Sequence, residues 1–172
     1  SQHREWVIDY LIKKGIRVVC FGLGWKNGII DENFFNQVIS RSKINLNLSN
    51  SINYDIRFVF SKPKMILTLI KSFFLKNIKN RSEIKARIFE IPANNGFLLT
   101  EYVPFIEYYF DLNKEITCFS NREELLNLIK FYLNNEEERE TKKNNGYLRV
   151  EKNHLYDHRV IEIIKHIENH RI

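Results

Sequence analysis

Three prolines and six glycines among 172 residues leave this chain short of the residues that build linkers and disordered tails. With 44% hydrophobic and 28% charged residues it has a globular composition, and its length is that of one ordinary domain spanning 1–172. Cysteine is scarce as well. Cys20 and Cys118 each sit in an apolar, strand-like run, where a free thiol behaves as a small buried apolar group, as a reducing cytoplasm allows. No apolar run reaches the roughly 18 residues needed to cross a bilayer. His3, Arg4, Glu5, Asp9, Lys13 and Lys14 in the first twenty residues are at odds with a signal peptide, so a cytoplasmic location is expected. Metal-ligand patterns are also missing: His154/His158 and His166/His170 have the spacing of a two-histidine helix face, but no cysteine or acid pattern completes either, and no metal is expected.

Acidic residues are missing from one stretch in particular. Residues 62–87 hold Lys62, Lys64, Lys71, Lys76, Lys79, Arg81, Lys85 and Arg87 against Glu83 alone, so the chain's formal charge of +6 is concentrated there. One basic stretch on a near-neutral body points to one anionic partner at one place: a diphosphate, a lipid surface or nucleic acid.

What is present is an α/β pattern. Arg4 to Lys14 has helical apolar spacing and stops at Gly15; Ile16 to Phe21 is a continuous apolar run, as in strands covered on both faces. Asp31 caps an expected helix to about Ser40, and Lys43 to Ser49 alternates as a strand. Residues 50–84 read as a basic, apolar helical insertion built around Lys64 to Lys79. Then come a helix from Lys85 to Asn94 ended by Asn95-Gly96, strands at Phe97 to Thr100 and Glu115 to Phe119, and a Ser120/Glu123 capping box opening a helix from Arg122 to Leu133. Two more helices, about Glu136 to Lys152 and Leu155 to His170, complete it. The order predicts a Rossmann-like, doubly wound, mainly parallel sheet flanked by helices, with a helical C-terminus. The chain opens on a helix where such folds open on a strand, so the first strand of the sheet is expected to be missing.

From Lys85 the chain reads Lys-Ala-Arg-Ile-Phe-Glu-Ile-Pro-Ala-Asn-Asn-Gly-Phe-Leu-Leu-Thr-Glu, then Phe-Ile-Glu-Tyr-Tyr-Phe, Asn-Lys-Glu-Ile-Thr-Cys-Phe and Glu-Glu-Leu. This ordered series resembles the C-terminal, donor-nucleotide-binding domain of GT-B glycosyltransferases, in the spore-maturation-type branch of the group-1 transferases. Leu-Asn-Asn-Glu-Glu-Glu-Arg, Asn-Gly-Tyr-Leu-Arg-Val, His154-Leu-Tyr156 with Arg159, and Ser-Lys-Ile-Asn-Leu-Asn at 42–47 extend the likeness to roughly residues 4–168.

The resemblance implies a metal-independent glycosyltransferase domain without a cofactor, which takes a nucleoside-diphosphate sugar as donor substrate. A missing N-terminal lobe would hold most of the glycan or lipid-linked acceptor, as in bacterial cell-surface glycan synthesis, so the chain alone would be inactive. Glu90 matches the glutamate that accepts from the donor's ribose hydroxyls; a solvated helix residue is the alternative. Where the fuller motif has its first glutamate, this sequence has Ser82, with Glu83 one place away. Lys85 and Arg87 are placed to neutralise the diphosphate. Ligands of doubly wound sheets sit beyond the strand C-termini, which makes Gly24, Ser49 and Thr100 rim candidates, although each also suits a structural turn. No catalytic base is identifiable.

A rival from another class is a non-catalytic basic module gripping an anionic lipid surface or nucleic acid. The charges surround a very apolar helix, Lys64 to Lys79, which favours peripheral contact with the cytoplasmic face of a membrane over nucleic acid; no nucleic-acid partner is expected.

Overall fold

The computed structural model describes residues 2–49, 66 and 83–169. The expected helix Lys64 to Lys79 lies outside them apart from Ile66, which is helical and exposed, as does all of the 50–84 insertion except Ile66, Glu83 and Ile84.

Among the described residues the elements run α1 (Gln2–Lys13), α2 (Glu32–Arg41), β1 (Asn45–Asn47), α3 (Arg87–Ala93), β2 (Leu98–Glu101), a 3-10 turn (Ile106–Tyr108), β3 (Thr117–Phe119), α4 (Arg122–Asn134), α5 (Glu136–Asn153) and α6 (Tyr156–Asn169). The three strands form one parallel sheet in the order β1-β2-β3, with Asn47 opposite Thr100 and Thr100 opposite Cys118. The fold is α/β, a parallel open sheet flanked by helices with a helical C-terminus, in keeping with a Rossmann-like half.

β2 is buried along its whole length because it has a core on each face. Phe97 and Leu99 pack with Val7, Ile8 and Leu11 of α1 and Leu125, Ile129 and Tyr132 of α4. Leu98, one residue out of phase, packs on the other face with Ile39 of α2, Ile88 and Ile91 of α3, and Val150 of α5. Burial on both faces is why the strand reads as a continuous apolar run instead of an alternating one. Cys118 packs against the second core, and burial lifts its thiol to about 12. It therefore stays protonated at neutral pH, an inert apolar filler.

Two local expectations are corrected. Ile16 to Phe21 is no strand of the sheet. Ile16, Val18 and Cys20 pack on the first core, while Arg17 and Val19 face solvent, so the run is apolar on one side only. It leads into a turn closed on itself by the Gly22 amide donating to the Gly28 carbonyl at 2.6 Å. The cap of α4 is Asn121, one residue beyond Ser120: its side chain accepts from the Glu124 amide at 2.8 Å, and Glu124 reaches back to the Ser120 amide at 2.7 Å. By contrast Asp31 caps α2 as expected, accepting from the Phe34 amide at 2.8 Å.

α5 turns a polar stripe inward: Arg139, Lys142, Gly146 and Val150 are its buried residues. Arg139 donates to the Tyr132 carbonyl at 2.6 Å and Lys142 to the carbonyls of Leu112 and Ile116 at 3.2 and 3.3 Å, so buried cations satisfy carbonyls at helix and strand ends. Gly146 lets this helix approach the chain entering β3, since a Cβ there would lie 2.6 Å from the Glu115 carbonyl oxygen. We expect Gly146→Ala to destabilise the fold by about 1–3 kcal/mol, against the gain alanine normally brings to a helix interior. Thermal melting checks this, and an unchanged or raised Tm would contradict the close approach.

Candidate functional site

A parallel sheet directs its strand C-termini, and the loops that leave them, to one edge. In this fold that edge gathers Leu48 and Ser49 after β1, Thr100 and Glu101 at the end of β2, and two segments laid across them. One is the first turn of α1, with His3 and Arg4; the other is the stretch leading into α3 and that helix's first residue, with Lys85 and Arg87.

The polar floor is tied together by Asn47. Its side-chain amide donates to the Ser49 hydroxyl at 2.8 Å and to the Thr100 hydroxyl at 3.0 Å, and Thr100 donates in turn to the Glu101 carbonyl at 3.2 Å. Ser49 and Thr100 are both fully buried, so their hydroxyls shape the strand ends from beneath. Above them, Arg4 donates to the Leu48 carbonyl at 3.2 Å and Lys85 to the Ser49 carbonyl at 3.0 Å. Two cations more than eighty residues apart thus hold adjacent carbonyls of the loop that follows β1.

Burial first, then the neighbouring Arg87, presses the Arg4 guanidinium below its ordinary range, against an upward pull from Glu101. Lys85 is pressed down in the same way, by burial and then by Arg4, with Arg87 adding to the effect while Glu83 and Glu101 oppose it. Arg4 and Lys85 are partly out of water and the exposed Arg87 adds like charge beside them, so an anion among the three would relieve that repulsion. Glu83 and Glu101 are the resident counter-charges; Glu101 is 5% exposed, and its carboxylate meets His3 Nε2 at 2.5 Å.

Of the residues singled out from the sequence, Ser49, Lys85, Arg87 and Thr100 are brought to this one edge. Glu90 is exposed on α3, three residues and so about one helical turn beyond Arg87 on the same outer face. Gly24 lies in the turn after residue 21 at φ 84, a conformation that suits glycine. Among the described residues no hydrogen bond or ion pair joins that turn to the cationic group. The loop after β2 carries an exposed aromatic pair, Phe105 and Tyr108, stacked at 5.9 Å, and a hydrogen bond from the Tyr102 hydroxyl to Glu107 at 2.5 Å.

His3, Arg4 and Glu101 were missed from the sequence. The first two look like ordinary polar residues of an amphipathic helix, and Glu101 is simply the end of a strand; only chain folding makes them neighbours of Lys85.

Elsewhere the histidine pair His154/His158 is occupied structurally. His154 Nε2 lies 3.0 Å from the Tyr109 carbonyl in a nest of Phe89, Tyr109 and Phe110, where burial lowers its basicity, and His158 Nδ1 accepts from the Leu155 amide at 3.2 Å. Among the described residues no group of three or more His, Cys, Asp or Glu could hold a metal, and no helix is long and apolar enough to cross a membrane. A shallow depression of about 350 Å³ between the start of β3 and α5, lined by Lys114, Glu115, Asn145, Arg149 and Lys152, lies at the opposite end of the sheet. Strand N-termini are not where parallel sheets bind ligands, and the strand C-terminal edge is the stronger candidate.

A family model described as glycosyl transferase-like matches residues 4–165. No curated protein and no solved structure matches the chain.

Proposed function

The chain belongs to the glycosyl transferase-like family, and from that premise we propose that it is the donor-binding part of a GT-B enzyme, taking a nucleoside-diphosphate sugar at the C-terminal edge of its sheet. The observation that carries this reading is the convergence of Arg4, Lys85 and Arg87 on that edge, each of the first two lowered by burial and by a neighbouring cation. A diphosphate is the anion such a group suits, because guanidinium and ammonium donors can bind several of its oxygens at once.

Chemistry follows from charge. As the glycosidic bond to the donor breaks, negative charge grows on the departing diphosphate, and preorganised cations oppose it without needing to reorganise. No metal is needed in this scheme. The acceptor, a glycan or a lipid-linked sugar, and the catalytic base, if one is used, belong to a second lobe, so this chain alone is expected to bind donor without turning it over. Glu90, one turn beyond Arg87, is the proposed anchor of the ribose hydroxyls, since a carboxylate accepts from two vicinal hydroxyls together.

Parallel titrations with nucleoside diphosphates, duplex DNA and anionic vesicles separate this function from a basic module for lipid or nucleic acid. We expect only the diphosphates to saturate a single site. Glu90→Gln should lower that affinity by one to two decades, the worth of about 1.5–3 kcal/mol for a charged hydrogen bond, with the melting temperature little changed. Glu83→Gln should matter less. Equal binding by the parent and Glu90→Gln, or no preference of the parent over the 2′,3′-dideoxy nucleotide, would remove the ribose anchor. Saturable binding to DNA or vesicles alone would favour the rival function.

A further inference from the structure

The loop that follows β2 carries two features that the proposed function does not use. Phe105 and Tyr108 are 64% and 77% exposed, lie outside both cores of the described residues, and stack with ring centroids 5.9 Å and planes 12° apart. Phe105 also sits at φ 74 and ψ 8, the left-handed region that bulky residues avoid.

Local geometry accounts for that conformation. Val103, Pro104, Phe105 and Ile106 make a type II turn, with proline at its second position and the Ile106 amide donating to the Val103 carbonyl at 3.2 Å. The third position of such a turn needs a positive φ and ordinarily holds glycine or asparagine. Glycine would make this turn without strain, so neither the turn nor the core explains a phenyl ring here. Strain of this kind persists where the surroundings over-determine it, as at ligand clamps. The surroundings do so here. Val103 and Ile106 are buried on either side, the Tyr108 amide donates to the Phe105 carbonyl at 3.2 Å, and the Tyr102 hydroxyl donates to Glu107 across the loop. The rings are thus presented on a fixed support, which reduces the ordering cost for whatever stacks on them.

The loop leaves β2 directly after Glu101, at the edge where Arg4, Lys85 and Arg87 gather. Its far end is held beside α3, where Tyr109 meets Phe89 edge-on at 5.5 Å between centroids, and Phe89 is the neighbour of Glu90. From Arg87 one helical turn of about 5.4 Å leads to Glu90, and the loop packs beside that turn. Cations for phosphate, a carboxylate for ribose hydroxyls and an aromatic surface are therefore gathered around one end of the sheet, as the parts of one nucleotide require. Every base has a π-face, so stacking on aromatic rings needs no particular hydrogen-bond pattern.

We propose that Phe105 and Tyr108 form the surface on which the heterocyclic base of the donor nucleotide stacks. The inference rests on the reading of this edge as the donor site and adds to it the part of the donor that cations cannot hold. Base and diphosphate then contribute separately to affinity, the first through the rings and the second through Arg4, Lys85 and Arg87.

The test is calorimetric titration of the chain with uridine diphosphate, guanosine diphosphate and inorganic pyrophosphate, for the parent, Phe105→Gly, Tyr108→Ala and Tyr108→Trp. Phe105→Gly removes a ring while relieving the positive φ, so its melting temperature should hold or rise, whereas a ring that served the fold would leave it lower. We expect Phe105→Gly and Tyr108→Ala each to bind both nucleotides about tenfold more weakly, the lower part of the range for loss of one base stack. Pyrophosphate affinity should stay within about twofold of the parent in every variant, because that ligand has no base. Tyr108→Trp, which keeps and enlarges the ring face, should bind the nucleotides at least as tightly as the parent. Unchanged nucleotide affinity in Phe105→Gly and Tyr108→Ala, an equal loss for pyrophosphate, or Tyr108→Trp as weak as Tyr108→Ala would overturn the inference and leave the anion site standing. Failure of the parent to bind pyrophosphate or either nucleotide would instead overturn the donor site itself.

Discussion

Arg4→Gln combined with Arg87→Gln should lower the affinity of the chain for a nucleoside diphosphate by two to four decades while costing little stability. Each charge-assisted hydrogen bond to phosphate is worth roughly 1.5–3 kcal/mol, so losing two removes about 3–6 kcal/mol of binding. Folding should respond quite differently. Arg4 and Arg87 repel one another, and glutamine at position 4 retains an amide donor for the Leu48 carbonyl. The melting temperature is therefore expected to stay within a few degrees of the parent or to rise. Titration calorimetry and thermal melting on the same preparations decide the matter. Unchanged affinity would show that the cations serve only the fold, and a melting loss as large as the binding loss would show that the Arg4 bond to Leu48 is mainly structural.

The largest effect on stability is expected at the centre of the sheet. Leu99 is fully buried in β2, the strand paired on both sides, and it packs between α1 and α4. Leu99→Ala should cost about 2–5 kcal/mol, because the rigid strand on either side cannot collapse into the space left. For a chain of this size that corresponds to roughly 5–20 °C in Tm. Leu133→Ala, at a position 39% exposed on α4, serves as the control and should shift it far less. A shift of only one or two degrees at Leu99 would mean that the two cores are not organised around β2.

Legibility along the chain followed the range of the physics involved. Helices with an apolar period and a local cap were readable: α2 begins at Asp31 as expected, because a cap is an interaction over three residues. Strand-like runs were less so. Phe97 to Thr100 became β2, one residue displaced, but Ile16 to Phe21 did not join the sheet, and nothing in a short apolar run states whether a neighbouring strand will pair with it. The polar inward stripe of α5 was equally hidden. Arg139 and Lys142 look like surface residues of a charged helix until the carbonyls they satisfy are brought against them.

By itself the sequence determined the α/β class, most helix bounds, the charge concentrated in residues 62–87, and the ordered residues from Lys85 to Glu101 that carry the family likeness. These are local or additive properties, set by side-chain period, caps and charge count. Only the tertiary structure decided that His3 and Arg4 stand with Lys85, Arg87 and Glu101, and that Ser49 and Thr100 lie beneath them, joined by Asn47. That arrangement comes from parallel strand pairing, which places the C-terminal ends of β1 and β2 side by side and packs the opening helix across them. Its members are up to 98 residues apart, and no spacing within the sequence encodes that distance.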